Sequence, residues 1–269
     1  MSGPVSGPVN GLRVEQHVAS WPGVCLAELD DVAALQTRVD RKYVLSPAEA
    51  TALLDGLRAD RPRVLEIDGR RTFAYASNYL DTPDLTTFHQ AARRRRRRFK
   101  VRTRTYVDTG GTFLEVKTRA ARGVTVKERR PADPVTLTLR DDDAAFVDDR
   151  LAAARLAAPP SSADLVPVLV SRYRRTTLLL PDARLTLDTA LTWSLAARPD
   201  GGTHPVADVG DLVVVETKAG TAPSSADRLL WRAGHRPDRI SKYATGLTLL
   251  RPELPDHPWR RLRRERLAA

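Results

Sequence analysis

Between Phe99 and Arg129 charge recurs at every second residue through three successive segments. Side chains on a strand alternate between faces, so Lys100, Arg102 and Arg104 share one face while Phe99 and Val101 lie on the other. Glu115 with Lys117, then Thr125, Lys127 and Arg129, repeat the pattern, with Gly110-Gly111 and Arg122-Gly123 as hairpin punctuation. A helix-period pattern is thereby excluded from this region. Inward cations about 7 Å apart repel by roughly 2 kcal/mol each at an effective dielectric near 20. Such a row needs water, balancing carboxylates or an anionic guest.

The rest of the chain repeats the theme with fewer charges. Thr37 to Leu45 reads as a first strand with Arg38, Asp40 and Lys42 on one face, and Thr72 to Leu80 as a second with Tyr75, Ser77 and Tyr79 alternating. Val166 to Leu180 and Arg184 to Thr192 form a long hairpin turning at Pro181-Asp182, and Asp211 to Lys218 is a late strand. Ser46-Pro47-Ala48-Glu49 is a capping box with Pro at the first helical position, ahead of Leu53, Leu54 and Leu57. Further helices are predicted near 26–35, 85–92, 141–158, 226–233 (stopped by Gly234) and from Ser241 to about Leu250. Seven or eight charged-and-apolar strands, with too few helices for a parallel crossover fold, predict an α+β architecture: an antiparallel barrel with a polar interior and helices packed outside. Residues 1–25, with Gly3-Pro4, Gly7-Pro8 and Pro22-Gly23, read as a flexible leader, 26–250 as the folded domain, and 251–269 as a basic tail that frays unless Trp259 holds it.

Charge narrows the function classes. The net charge is +11, and positions 93–104 alone hold nine basic residues and no acid, which argues for one concentrated anion site over a basic coat. Cys25 is the only cysteine, so an intrachain disulfide and a cysteine-based zinc site are excluded and a reducing compartment fits. No stretch has the apolar length of a membrane span, and a cytoplasmic chain without direct membrane insertion is expected. No Walker A, GxGxxG or HExxH pattern occurs, and the five histidines have no metal spacing. Lysines and arginines from five strands (Lys42; Lys100, Arg102, Arg104; Lys117; Lys127, Arg129; Arg175, Arg184) outnumber Asp40, Glu115, Asp188 and Glu216. A polyphosphate matches that surplus: arginine grips phosphate oxygens bidentately, lysine acts as a point charge, and a carboxylate can hold a bridging divalent ion. Nucleic acid is disfavoured, since Phe99 and Tyr106 stand isolated in the sequence with no stacking series around them.

Nine segments in order carry a resemblance: Arg38-x-Asp40-x-Lys42-Tyr43, Asn78-Tyr79-Leu80-Asp81-Thr82-Pro83, Lys100-Val101-Arg102-Thr103-Arg104-x-Tyr106, Leu114-Glu115-Val116-Lys117, Val126-Lys127-Glu128-Arg129, Tyr173-x-Arg175-Thr176, Arg184 to Thr189, Glu216-Thr217-Lys218 and Ser241-Lys242-Tyr243. Together they resemble the VTC domain, the catalytic domain of vacuolar transporter chaperone polyphosphate polymerases and their bacterial relatives. The resemblance implies the triphosphate tunnel (CYTH-like) fold, an eight-stranded antiparallel tunnel. It further implies a metal-dependent phosphotransferase that passes the γ-phosphate of ATP to a growing polyphosphate chain. Carried over by position, Arg102, Arg104, Lys117 and Glu216 are the catalytic candidates. Lys42, Lys100, Lys127, Arg129, Arg175, Arg184, Lys218 and Lys242 are the phosphate-binding candidates. The resemblance further implies that Glu216, with Asp188 assisting, would hold Mn²⁺ or Mg²⁺. The chain departs from the wider superfamily's Glu-x-Glu-x-Lys first strand, having Arg38 and Asp40 in place of the glutamates. A separate membrane protein is the implied partner. Two other readings stay open at this point: hydrolysis of inorganic triphosphate in the same tunnel, and a non-catalytic polyphosphate- or nucleic-acid-binding module using Arg93 to Arg98.

Overall fold

The computed structural model describes residues 9–34, 39–119, 125–134, 138–156, 159–196 and 205–267. In chain order its strands are β1 (Gly23–Val24), β2 (Val39–Leu45), β3 (Arg63–Leu65), β4 (Thr72–Asp81), β5 (Arg98–Tyr106), β6 (Thr112–Arg119), β7 (Thr125–Pro131), β8 (Val166–Leu180), β9 (Ala183–Leu195), β10 (Val206–Asp208) and β11 (Val213–Ala219). Its main helices are α1 (Val9–Val18), α2 (Leu26–Ala34), α3 (Pro47–Leu57), α4 (Thr86–Ala92), α5 (Asp141–Ala153), α6 (Ser225–Arg232) and α7 (Ala244–Leu250). Eight strands form one curled antiparallel sheet in the order β2-β11-β9-β8-β4-β5-β6-β7, with the three shortest strands attached at its margins. Among the described residues the end strands β2 and β7 do not pair, so the sheet is a half-barrel rather than a closed barrel.

Alternation sets the two faces. Phe99, Val101, Leu114 and Val116 are buried on the convex face with Val147 and Leu151 of α5, as their spacing predicts. Around β2, β9 and β11 the convex face packs Tyr43, Leu185, Leu187, Val213 and Val215 against Leu53, Leu54 and Leu57 of α3 and Leu230 of α6. The capping box at Ser46 and Glu49 is formed as expected, and Gly234 takes the positive φ of 87° that ends α6. Val44 and Val214 have the same parity as the cavity-lining Lys42 and Glu216, and they meet Tyr243 and Leu247. Helix α7 therefore lies on the concave side and brings Ser241 and Lys242 to it.

One expectation needs correction. From Val9 the supposed leader is helix α1, and Val14, Val18 and Trp21 are buried in the core beside α3. Their i, i+4, i+7 spacing is an amphipathic stripe that the flanking Pro-Gly pairs obscured. The C-terminal segment is held by Trp259, the alternative that the sequence allowed: Trp259 and Leu262 are buried, and Arg266 donates to the Glu49 carboxylate. Burial of one indole and one leucine outweighs the local basic repulsion, which Asp256 relieves by pairing with Arg260 and Arg263. Residues 1–8, Leu35, Arg38, the Arg122-Gly123 turn, 157–158 and 268–269 lie outside the described residues. Among the described residues no helix is long and apolar enough to cross a membrane.

Candidate anion-binding cavity

The concave face encloses a cavity of about 1190 Å³. Every phosphate-binding and catalytic candidate named above lines it, as do Arg94, Arg96, Arg98, Arg119 and Arg239. Its carboxylates are Asp30, Asp40, Glu115 and Glu216, with Asp188 buried just behind. Cations thus exceed acids about fourfold. Strand register explains the convergence: Lys100 faces Lys117, which faces Lys127, while Lys42 sits opposite Glu216 and Lys218 opposite Arg184.

Two carboxylates are fully committed to cations. Glu115 takes Arg102 Nη2 at 2.6 Å and Lys127 Nζ at 2.6 Å, with Arg104 at 3.9 Å. Burial pushes its carboxyl up, but Arg102, Arg104 and Lys127 outweigh this and hold it far below the usual range. Asp188 accepts a bidentate pair from Arg175, at 2.6 and 2.8 Å, and a further bond from Lys242. Against burial, Arg175 and Lys242 pull Asp188 down to about 2. These pairs orient Arg102 and Arg175, whose protonated forms they strengthen in spite of burial.

Glu216 differs. Among the described residues no hydrogen bond or ion pair engages its carboxylate, although burial is opposed by Lys218, Lys42, Arg175 and Lys242, which keep it ionised. The surrounding lysines carry the cost. Burial lowers Lys100 to about 7, helped by Lys42, Lys117 and Arg102, and Lys100 Nζ reaches Ser241 Oγ at 2.8 Å. Lys218 falls to about 7 and Lys127 to about 8, each chiefly through burial and each partly restored by its glutamate. Lys117 is lowered by burial and Lys42. An anion in the cavity would relieve all four.

The metal assignment can be tested on the donor set. Among the described residues no cluster of three or more His, Cys, Asp or Glu side chains occurs, so no all-protein metal cage is present. Asp188 is spent on two cations. One ionised, otherwise unengaged carboxylate at Glu216 still fits a hard divalent ion of the kind that takes one or two carboxylates and completes its shell with phosphate oxygens and water. The residues fit a metal that arrives with its phosphate, through Glu216 and not Asp188.

Sequence spacing missed the aromatic contribution. Tyr106 is not isolated: its ring lies 5.0 Å from Tyr75 and 5.7 Å from Phe113, and Tyr75 stacks on Tyr173 at 5.2 Å. These pairings join different strands, through Tyr75↔Tyr106 and Tyr75↔Tyr173 register, so no window of the sequence displays them. Arg129 lies over Phe113 at 4.9 Å and donates to the Tyr106 hydroxyl at 3.3 Å. Asp81 was also overlooked as a support: it accepts the backbone N–H groups of Thr82, Thr87 and Phe88 and the Tyr243 hydroxyl, tying α4 to the segment that carries Lys242.

A curled antiparallel eight-stranded sheet, helices outside and a strongly basic concave face define an α+β protein of the tunnel type. The VTC domain model matches residues 37–251, and the chain belongs to that family. Membership relates the cavity to polyphosphate and nucleoside triphosphate substrates and implies a divalent metal. Solved structures with a similar fold include a candidate adenylate cyclase from Vibrio parahaemolyticus (15% identity, TM-score 0.44, covering 79% of this chain and 98% of that one). Another, from Bacillus halodurans, has 13% identity and a TM-score of 0.45, covering 78% and 96%. A candidate adenylyl cyclase from Hippeastrum, described as having a dominant triphosphatase activity, has 16% identity and a TM-score of 0.47, covering 79% and 96%. No curated protein matches this chain.

Proposed function

We propose that the chain is a metal-dependent polyphosphate polymerase, transferring the γ-phosphoryl group of ATP to the end of a polyphosphate chain and releasing ADP. The observation that carries this reading is the length and charge of the cavity. Along β5 its lining runs from Arg98 to Tyr106, about 26 Å at strand rise, which exceeds the span of one triphosphate. Arginines continue beyond it as Arg94 and Arg96. That is room and charge for a nucleotide and a chain together.

In this mechanism the cations do the positioning. Lys100, Arg102, Arg104 and Lys117 on β5 and β6, with Lys42, Arg175 and Lys242 from across the cavity, would hold donor and acceptor phosphates nearly in line, cancelling their mutual repulsion. Arg102, fixed by Glu115, stabilises charge on the transferring group without reorganising. Glu216 would hold a divalent ion, which would supply neutralisation of the charge developing on the transferring group. A polyphosphate end is already an oxyanion, so transfer to it needs no base. Hydrolysis would need a proton acceptor for water. Glu115, Asp188 and Glu216 are all held below the usual carboxylate range by the surrounding cations, which makes each a poor proton acceptor.

The test is incubation of the purified protein with ATP and Mn²⁺ or Mg²⁺, reading ADP and polymer length. Polymer with one ADP released per phosphate incorporated is expected, and Glu216→Gln should abolish it in either metal. Orthophosphate without polymer would replace this reading with hydrolysis, and polymer formation undiminished in Glu216→Gln would remove the metal assignment.

A further inference from the structure

The two ends of the cavity differ in chemistry. At the Arg98 end the rim is cationic, and Trp259 there is 5% exposed with its ring 5.8 Å from Phe88, while Tyr243 is 1% exposed. Among the described residues both of these aromatics are buried. At the other end, around the β5–β6 hairpin, Tyr106 and Phe113 are half-buried, and the exposed Arg129 lies over Phe113 while bonding Tyr106. Leu26, 48% exposed, faces the same end from α2. Deeper in, the faces of Tyr75 and Tyr79 are taken by Tyr173 and Tyr243.

A planar guanidinium held over an aromatic ring presents its outer face as a flat, cationic surface, which is what a heteroaromatic base stacks upon. Arg129 came from the sequence as a phosphate ligand by its alternation with Lys127. Its side chain instead reaches toward Phe113, two residues before its own register partner Glu115 on β6. A phosphate needs neither the ring nor the hydroxyl beneath it.

We propose that the hairpin end of the cavity is a nucleobase subsite, with Arg129 on Phe113 and Tyr106 as its stacking platform, and that the phosphates of a bound nucleoside triphosphate run from there toward Arg94, Arg96 and Arg98. This rests on a nucleotide being the phosphate donor. The growing chain then leaves through the arginine end, and the base end fixes the direction of synthesis.

The experiment compares equilibrium binding of ATP and inorganic tripolyphosphate, without divalent metal, to the wild-type chain and to Arg129→Lys and Phe113→Leu. Arg129→Lys keeps the charge and removes the planar face. Phe113→Leu keeps an apolar side chain under the platform and removes the ring. Each should weaken ATP by about five- to a hundred-fold, the range for one lost base stack, while tripolyphosphate changes less than twofold. Arg94→Ala with Arg96→Ala should weaken long-chain polyphosphate by a larger factor than ATP. Equal losses for ATP and tripolyphosphate, or no loss for either, would overturn the subsite while leaving the polymerase reading standing. Wild-type binding of tripolyphosphate but not ATP would overturn both. Thermal unfolding of each variant identifies any that fails to fold, and the two platform substitutions are independent of one another.

Discussion

Binding of a nucleoside triphosphate to this cavity should take up about two protons at pH 8. The free protein holds Lys100 and Lys218 near 7 and Lys127 near 8, so at pH 8 the first two are about nine-tenths neutral and the third about half. A phosphate oxygen about 3 Å from an ammonium contributes roughly 5 kcal/mol at an effective dielectric of 20, enough to raise each pKa by several units and fill all three sites. The terminal phosphate of ATP is already ionised at pH 8 and releases little in exchange. Linkage then weakens affinity by between one and two orders of magnitude as pH rises from 7 to 8. Calorimetric titration with ATP in buffers of different ionisation enthalpy, without divalent metal, measures the proton count directly. Lys100→Met and Lys218→Met should each remove about 0.9 proton. An uptake below half a proton, or one unchanged in both variants, would refute the argument. The same lysines bind more protons unfolded than folded between about pH 7 and 10, so the free protein should gain stability as pH rises through that window, and saturating ATP should flatten the gain.

Asp188→Asn leaves Arg175 and Lys242 facing each other without their shared carboxylate; the free protein should lose about 3 kcal/mol, and tripolyphosphate should recover most of it in thermal melts. At Gly246 an added Cβ would fall 2.3 Å from the Trp193 ring, whose Nε1 donates to the Lys242 carbonyl, so Gly246→Ala should cost about 2 to 3 kcal/mol and lower the melting temperature by roughly 5 to 10 °C. Trp21→Ala removes a buried indole from the α1–α3 core and should destabilise by about 3 to 5 kcal/mol in denaturant titration; a change below 1 kcal/mol would mean that the segment before Cys25 contributes little to the fold.

Much of this was legible in the chain because strand alternation is local. Lys100, Arg102 and Arg104 face inward and Phe99 and Val101 outward for the same reason that any strand alternates, and the inward parity of Glu115, Lys117 and Lys127 followed from the same rule. Helix boundaries with capping chemistry, such as Ser46 to Leu57, were equally plain. Where apolar spacing was short and flanked by Pro and Gly, as at Val14, Val18 and Trp21, composition misled and burial decided.

What the sequence determined alone is the number and sign of the charges on one strand face, hence the need for an anion, and with it the family motifs. It left open which carboxylates are free and which rings are near one another, because those depend on register between strands far apart in the chain. Only the tertiary structure gave Glu115 to Arg102 and Lys127, gave Asp188 to Arg175 and Lys242, and set Glu216 among Lys218, Lys42, Arg175 and Lys242 with no hydrogen bond or ion pair to its carboxylate among the described residues. It also joined Tyr75, Tyr106, Phe113 and Arg129 at one end of the cavity, and so gave a row of like charges two chemically distinct ends. Pairing across strands fixes those neighbours, and no periodicity within a strand encodes them.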